Sequence, residues 1–236
     1  MSTYIGPIPP REQRGILLTD HKLDERSVVV IGDVHGCAQA LRDLLTQVIH
    51  TGCQVVFVGD LMDRGENFRS VLTIVHSMCT SPESWGVKSA VCLMGNHERM
   101  ILDAYSGFNF NLWLRNGGLV EDFQFISDTG RWGWLNGLPL WYEHEKPVEW
   151  NGRALKLLVT HGSVQPGVPM HKQDEETLYW GRRIAGYSRD YLTINGHTIC
   201  REGEPMEYDT QTGTVLRIDT GSYLTGVVTG LALREI

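Results

Sequence analysis

The chain has 236 residues, an apolar fraction of 42% and a formal charge of −7, with acidic and basic residues interleaved along its length. That composition covers both faces of a central sheet and excludes a disordered chain. It also argues against a general nucleic-acid or membrane-surface binder, which would show a basic patch or run, although a local anion pocket stays open. No apolar run is long enough for a transmembrane helix, and "MSTYIGPIPPREQRG" carries no signal-peptide pattern. The five cysteines (Cys37, Cys53, Cys79, Cys92, Cys200) form no CxxC pair. They suit a reducing compartment, so the expected location is the cytoplasm.

In chain order, residues 1–27 are polar and contain proline, and read as an irregular or short β lead-in. "SVVVIGD" is a β-branched run of the kind buried on both faces of a sheet. "CAQALRDLLTQVIH" places Ala38, Leu41, Leu44, Leu45 and Val48 at helical spacing. "CQVVFVGD" gives a second strand, "NFRSVLTIVHSM" a second amphipathic helix, "VKSAVCLMGNH" a third strand, and "ERMILDAY" opens a third helix. This alternation implies parallel strands joined by right-handed crossovers. Residues 105–150, rich in Trp, Gly and Asn, read as a small cap of short helices and loops. From "ALKLLVTHG" onward the chain is mostly strand ("LTINGHT", "TVLRIDTGS", "TGVVTGLAL"), with Gly and Thr punctuation that suits antiparallel turns. The expected fold is a single α/β domain over residues 1–236. A βαβαβ core and a strand-rich half would pack as paired mixed sheets flanked by helices, with the Trp-rich helical cap beside them.

Chemistry gathers at the strand ends. They read "GDVHG" (Asp33, His35), "GDLMDRG" (Asp60, Asp63, Arg64), "GNHE" (Asn96, His97, Glu98), "THG" (His161) and "NGHT" (His197). Ligands of open α/β sheets bind beyond the carboxyl ends of the strands, and glycine there lets backbone approach a ligand closely. Alone, each block is an ordinary turn; five of them converging on one spot are not. A mixed carboxylate, amide and imidazole set without cysteine disfavours a structural zinc site and suits Mn, Fe, Zn or Co better than Mg or Ca. Six such side chains exceed what one catalytic metal needs, whereas two metals sharing a carboxylate fit the count. The reaction class indicated is metal-assisted hydrolysis, most naturally of a phosphate ester.

These blocks, in this order, resemble the phosphoprotein phosphatase family of calcineurin-like metallophosphoesterases, in particular its small bacterial and phage members. The likeness runs from about Val28 to His197 and continues into "RIDTGSYLTG". It implies a dinuclear site, with manganese the first choice of metal. Asp33 and His35 would bind one ion, Asp60 would bridge, and Asn96, His161 and His197 would hold the second. The nucleophile would be a hydroxide bridging the two metals. His97 would be the general acid, Asp63 would orient it, and Arg64 would bind phosphate oxygens. A second phosphate-binding arginine is expected between the late histidines; in "YWGRR" the pattern points to Arg182 rather than Arg183.

The implied activity is hydrolysis of phosphomonoesters, above all phosphoserine and phosphothreonine in proteins, with phosphotyrosine in range. A phosphorylated protein or small phosphoester is the expected partner; nucleic acid and membrane are not. The alternative is a diadenosine tetraphosphate hydrolase. Such relatives commonly carry a small residue where this chain has Asp63, which favours the phosphatase, although "DRGEN" lacks the proline usual after "DRG". A non-catalytic binding module would have lost a ligand or the acid, and none is missing here. Glu98 reads first as a first-turn helix carboxylate, with support of the neighbouring site residues as the alternative. His21, His50, His76, His144 and His171 match no block and read as surface or packing residues, and the tryptophans read as cap packing.

Overall fold

The computed structural model describes residues 12–236, and the chain enters it through strand β1 (Arg14–Leu18). The rest of the expected lead-in, residues 1–11, lies outside the described residues. Then come β2 (Ser27–Ile31), α1 (Ala38–Leu45), β3 (Gln54–Phe57), α2 (Phe68–Thr80), β4 (Ser89–Cys92) and α3 (Asn96–Tyr105), the alternation that the apolar runs predict. β2, β3 and β4 pair in parallel in that order. Every residue of β2 is buried. Its pleat sends Val29 and Ile31 toward the flanking helices and Val28 and Val30 toward a second sheet, which is why the run shows no polar alternation. In α1 the buried positions Ala38, Leu41, Leu44 and Leu45 form one stripe against β1 and β11 (Val227–Arg234). The N-terminus of α2 is capped by Asn67, whose side chain accepts the Ser70 N–H at 3.1 Å.

The cap consists of three short helices, α4 (Phe110–Arg115), α5 (Val120–Asp128) and α6 (Trp132–Asn136). Residues 141–150 depart from the expected helices and loops. They form β5 (Trp141–Glu143) and β6 (Val148–Trp150), both antiparallel to β7 (Arg153–Thr160). Three residues are too few for alternation to register, and the pairing with β7 decides their conformation.

Helix α7 (Glu175–Trp180), β8 (Tyr191–Asn195), β9 (Met206–Thr210), β10 (Gly213–Arg217) and α8 (Ser222–Thr225) complete the chain before β11. The expected antiparallel pairing holds only in part. β7–β8 and β8–β10 are parallel, because the intervening segments are long enough to cross over, and β9–β10 is an antiparallel hairpin. The first sheet runs β1-β11-β2-β3-β4 and the second β5-β7-β8-β10-β9, with β6 also on β7. Between them Val28, Val30, Val56 and Val58 meet Leu157, Val159, Leu192 and Ile194, all fully buried. Each such side chain contributes about 1.5–3 kcal/mol of burial. This interlock sets the carboxyl ends of β2, β3, β4, β7 and β8 along one edge of the sandwich.

Candidate active site

The turns leaving those strands use unusual backbone. Nine non-glycine residues among those described have φ between 42° and 67°; five of them are His35, Asp60, Asp63, Arg64 and His197. Left-handed backbone is unfavourable for such residues and persists where the surroundings impose it, a pattern that clusters at functional sites. Two glycines make the packing possible. A Cβ at Gly196 would run into Asp33 Oδ1, and one at Gly95 would run into Asp60 Oδ1.

The imidazoles are aimed by backbone carbonyls. His35 Nδ1 donates to the Met62 carbonyl at 2.8 Å and His161 Nδ1 to that of Val58 at 2.9 Å. Each Nε2 therefore faces the centre, 3.5 Å from Asp60 Oδ2 for His35 and 3.3 Å from Asp60 Oδ1 for His161. Carbonyl-oriented imidazoles are the usual support of metal-binding histidines. Asn96 Oδ1 lies 3.0 Å from His161 Nε2 and 2.7 Å from His197 Nδ1. Two donor groups result, His35–Asp60–His97 and Asp60–His161–His197, each with ligand atoms within 4.8 Å of one another and with Asp60 common to both. Asp33 belongs to neither triplet. Its carboxylate accepts the His197 backbone N–H at 3.1 Å, beside the charges of Asp60 and Asp219.

The electrostatics suit cations. Burial and the neighbouring Asp219 push Asp33 well above the usual carboxylate range, and burial lifts Asp219 to about 6. Burial also works against the charge of Asp60, but the surrounding His161, His97 and His35 hold it well below its ordinary value. Burial opposes protonation of His161 too, yet the Asp60 charge outweighs it and raises His161 to about 9. Cation binding at this nitrogen would release that proton. Burial, then the His161 charge, drops His197 to about 3. The Nε2 atoms of His97 and His197 are buried without a hydrogen-bond partner in the protein, as expected of groups that serve a ligand. A crowded, charge-rich O/N donor set with a shared carboxylate fits two divalent cations.

Beside this centre, His97 Nδ1 meets Asp63 Oδ2 at 2.5 Å, with both side chains buried. His97 Nε2 points inward, 4.0 Å from Asp60 Oδ2. Burial pushes Asp63 well above the usual carboxylate range and His97 down to about 4. Arg64 lies with Nη1 3.1 Å from His35 Nε2 and its guanidinium 4.7 Å over the Tyr223 ring. Arg182 is exposed at the rim, where it lines a cleft of about 480 Å³ with Ser163, Gln165 and Arg183. After burial and His161, the Arg182 charge contributes to lowering His197.

Four further residues join the site. Glu98 does begin α3, but its carboxylate reaches across to accept the N–H groups of Asp60 (2.8 Å), Leu61 (2.9 Å) and Gly95 (3.0 Å), tying two blocks together. Asp219 lies in the turn after β10, with Thr220 between it and Gly221, and its Oδ1 accepts the Gly221 N–H at 2.8 Å. Tyr223 backs Arg64 and meets the His35 ring edge-on at 5.4 Å. Trp113 is more than cap packing, since its indole N–H donates to Asp63 Oδ1 at 3.1 Å. Among the unassigned histidines, His144 is buried against Tyr142 and Glu235, and His76 meets Trp134 edge-on, as packing residues do.

Comparison with known proteins agrees with this geometry. A 95-residue stretch is 39% identical to serine/threonine-protein phosphatase 1 of Salmonella typhimurium, covering 39% of each chain. Serine/threonine-protein phosphatase 2 of the same organism is 26% identical over 214 residues, 85% of this chain and 90% of that one. An asymmetrical bis(5'-nucleosyl)-tetraphosphatase of Halalkalibacterium halodurans is 24% identical over 234 residues, 88% of this chain and 90% of its own. The calcineurin-like phosphoesterase pattern matches residues 26–201, from the start of β2 past the last histidine of the cluster. The chain belongs to the calcineurin-like phosphoesterase family, the metallophosphoesterases.

Proposed function

We propose that the protein is a metal-dependent phosphomonoesterase acting on phosphoserine and phosphothreonine in proteins. Asp33, His35 and Asp60 would hold one divalent cation, and Asp60, Asn96, His161 and His197 a second. Such a pair supplies Lewis acidity and a nucleophile at neutral pH, and manganese is the metal chosen for assay. The protein's own groups do the rest. Arg64 and Arg182 bind the phosphate oxygens from two sides, and guanidinium forks suit their geometry and charge. His97 donates a proton from Nε2 to the departing oxygen, while Asp63 on Nδ1 holds the ring in the orientation that aims Nε2 at the substrate.

The observation that carries this reading is the 2.5 Å contact between His97 and Asp63. A serine or threonine alkoxide is a poor leaving group and needs a proton; a nucleotide phosphate leaves readily without one. An oriented acid is therefore of most use to a monoesterase of alkyl phosphates. The named nucleotide-cleaving relative supports a second reading, hydrolysis of dinucleoside tetraphosphates at the same centre.

The test is a side-by-side assay of metal-stripped protein refilled with Mn²⁺, using a phosphoserine/phosphothreonine peptide panel and diadenosine tetraphosphate. Faster phosphate release from peptides is expected. Preferred cleavage of the dinucleotide would move the assignment to the second reading.

A further inference from the structure

The segment "FNLWLRNGG", Phe110 to Gly118, has no part in the chemistry described so far, yet it touches both residues of the "DR" pair. Trp113 is fully buried, and its indole N–H donates to Asp63 Oδ1 at 3.1 Å while Asp63 Oδ2 faces His97. The Gly117 carbonyl faces the backbone N–H of Arg64 at 3.5 Å. A Cβ at Gly118 would strike the Trp113 ring, so this glycine is what lets the indole seat. Phe123 packs edge-on against the ring at 4.7 Å and Phe110 at 5.7 Å, which fixes the direction of the N–H. Asp63 and Arg64 both have left-handed backbone, with φ of 63° and 67°, a conformation that needs outside support.

A carboxylate held by one oxygen alone can turn about its Cβ–Cγ bond, which swings broadly. A second donor on the other oxygen fixes the plane of the group and so the line along which Oδ2 meets the imidazole. We propose that Trp113 is a positioning residue for the general acid: the cap helix α4 reaches through its indole N–H to lock the Asp63 carboxylate, and thereby His97, in the proton-donating geometry. This rests on the assignment of His97 as the acid. It makes the cap a working part of the site, since any displacement of α4 changes how well the leaving oxygen is protonated.

The experiment compares kcat/KM for phenyl phosphate, a poor leaving group, with that for 4-nitrophenyl phosphate, a good one, in the Mn²⁺-loaded protein. The ratio of the two cancels differences in the amount of folded enzyme. Three substitutions are measured: Trp113→Phe, replacement of Trp113 by 3-benzothienylalanine (same ring shape, sulfur for N–H), and His97→Asn. The phenyl-to-nitrophenyl ratio is expected to fall on the order of tenfold in both Trp113 variants, the scale of one lost hydrogen bond to a carboxylate. It should fall further in His97→Asn. In an Asp63→Asn background, Trp113→Phe should lower the ratio no further. If His97→Asn is selective but both Trp113 variants lose the two substrates equally, Trp113 is structural only and the inference is overturned while the acid stands. A His97→Asn variant without selectivity would overturn both.

Discussion

Asp63 and His97 lie 34 residues apart in the sequence and 2.5 Å apart in space, brought together because β3 and β4 are parallel neighbours whose ends open on the same edge. One prediction comes directly from that contact. Asp63→Asn keeps the volume but presents an amide to His97, so hydrolysis of a phosphoserine peptide should fall about 10²-fold, the low end of a general-acid contribution. Hydrolysis of 4-nitrophenyl phosphate should change much less. Equal losses on both substrates would remove the pair from proton transfer.

Glu98 offers one carboxylate to three backbone N–H groups, those of Asp60, Leu61 and Gly95. Glu98→Ala strands these donors in a buried place, where each unsatisfied group costs about 1–3 kcal/mol. We expect a destabilisation of roughly 3 kcal/mol or more in urea unfolding and weaker Mn²⁺ binding, because Asp60 loses its anchor. Glu98→Gln, which keeps one acceptor oxygen, should lie between. A Glu98→Ala protein with wild-type stability would show that the clamp is idle.

The Asp33–Gly196 contact is sterically closed. Gly196→Ala places a methyl group on Asp33 Oδ1, and the loop bearing His197 must shift. Folding should survive, since the strain is confined to a loop, but Mn²⁺ affinity should drop at least tenfold in isothermal titration. Unchanged affinity would show that Asp33 and the His197 loop are not set by this contact.

Asp122 gives a pH dependence away from the proposed metal ligands. It is buried in α5, and burial together with the Asp63 charge lifts it from 3.8 to about 6, with Arg69 opposing. An acid whose folded pKa is raised holds its proton more tightly when folded. Its ionisation therefore costs stability progressively from pH 4 to 6, and the cost is constant above that. Asp122→Asn removes this cost. The variant should gain stability over the wild type as pH rises through this window, up to about 3 kcal/mol at neutral pH. Melting curves at pH 4, 5, 6 and 7.5 check it; a difference independent of pH would contradict the shift.

The site was legible wherever a short apolar run ended in glycine beside a carboxylate, amide or imidazole, because burial on both faces leaves such a strand few other readings. Asp219, after β10, escapes that rule, because Thr220 stands between it and Gly221. The contacts of Glu98 and Trp113 were hidden as well. Their roles depend on what lies across a turn or at the end of a cap helix, and neither the N-terminal carboxylate of α3 nor one tryptophan among seven names its partner. The parallel pairing of β7, β8 and β10 was hidden for a related reason: Gly and Thr mark turns but not the direction in which the chain returns. The three-residue strands β5 and β6 hold their conformation through β7, not through their own pattern.

Under the proposed function, five strand ends build one centre for two divalent cations around Asp60. Equilibrium titration of the metal-stripped protein with Mn²⁺, with bound metal measured by elemental analysis after gel filtration, tests it most directly. Two ions per chain are expected for the wild type, with proton release on binding as His161 gives up its proton, and loss of the paired stoichiometry in Asp60→Asn. One ion per chain, or two that survive Asp60→Asn with unchanged affinity, would contradict it.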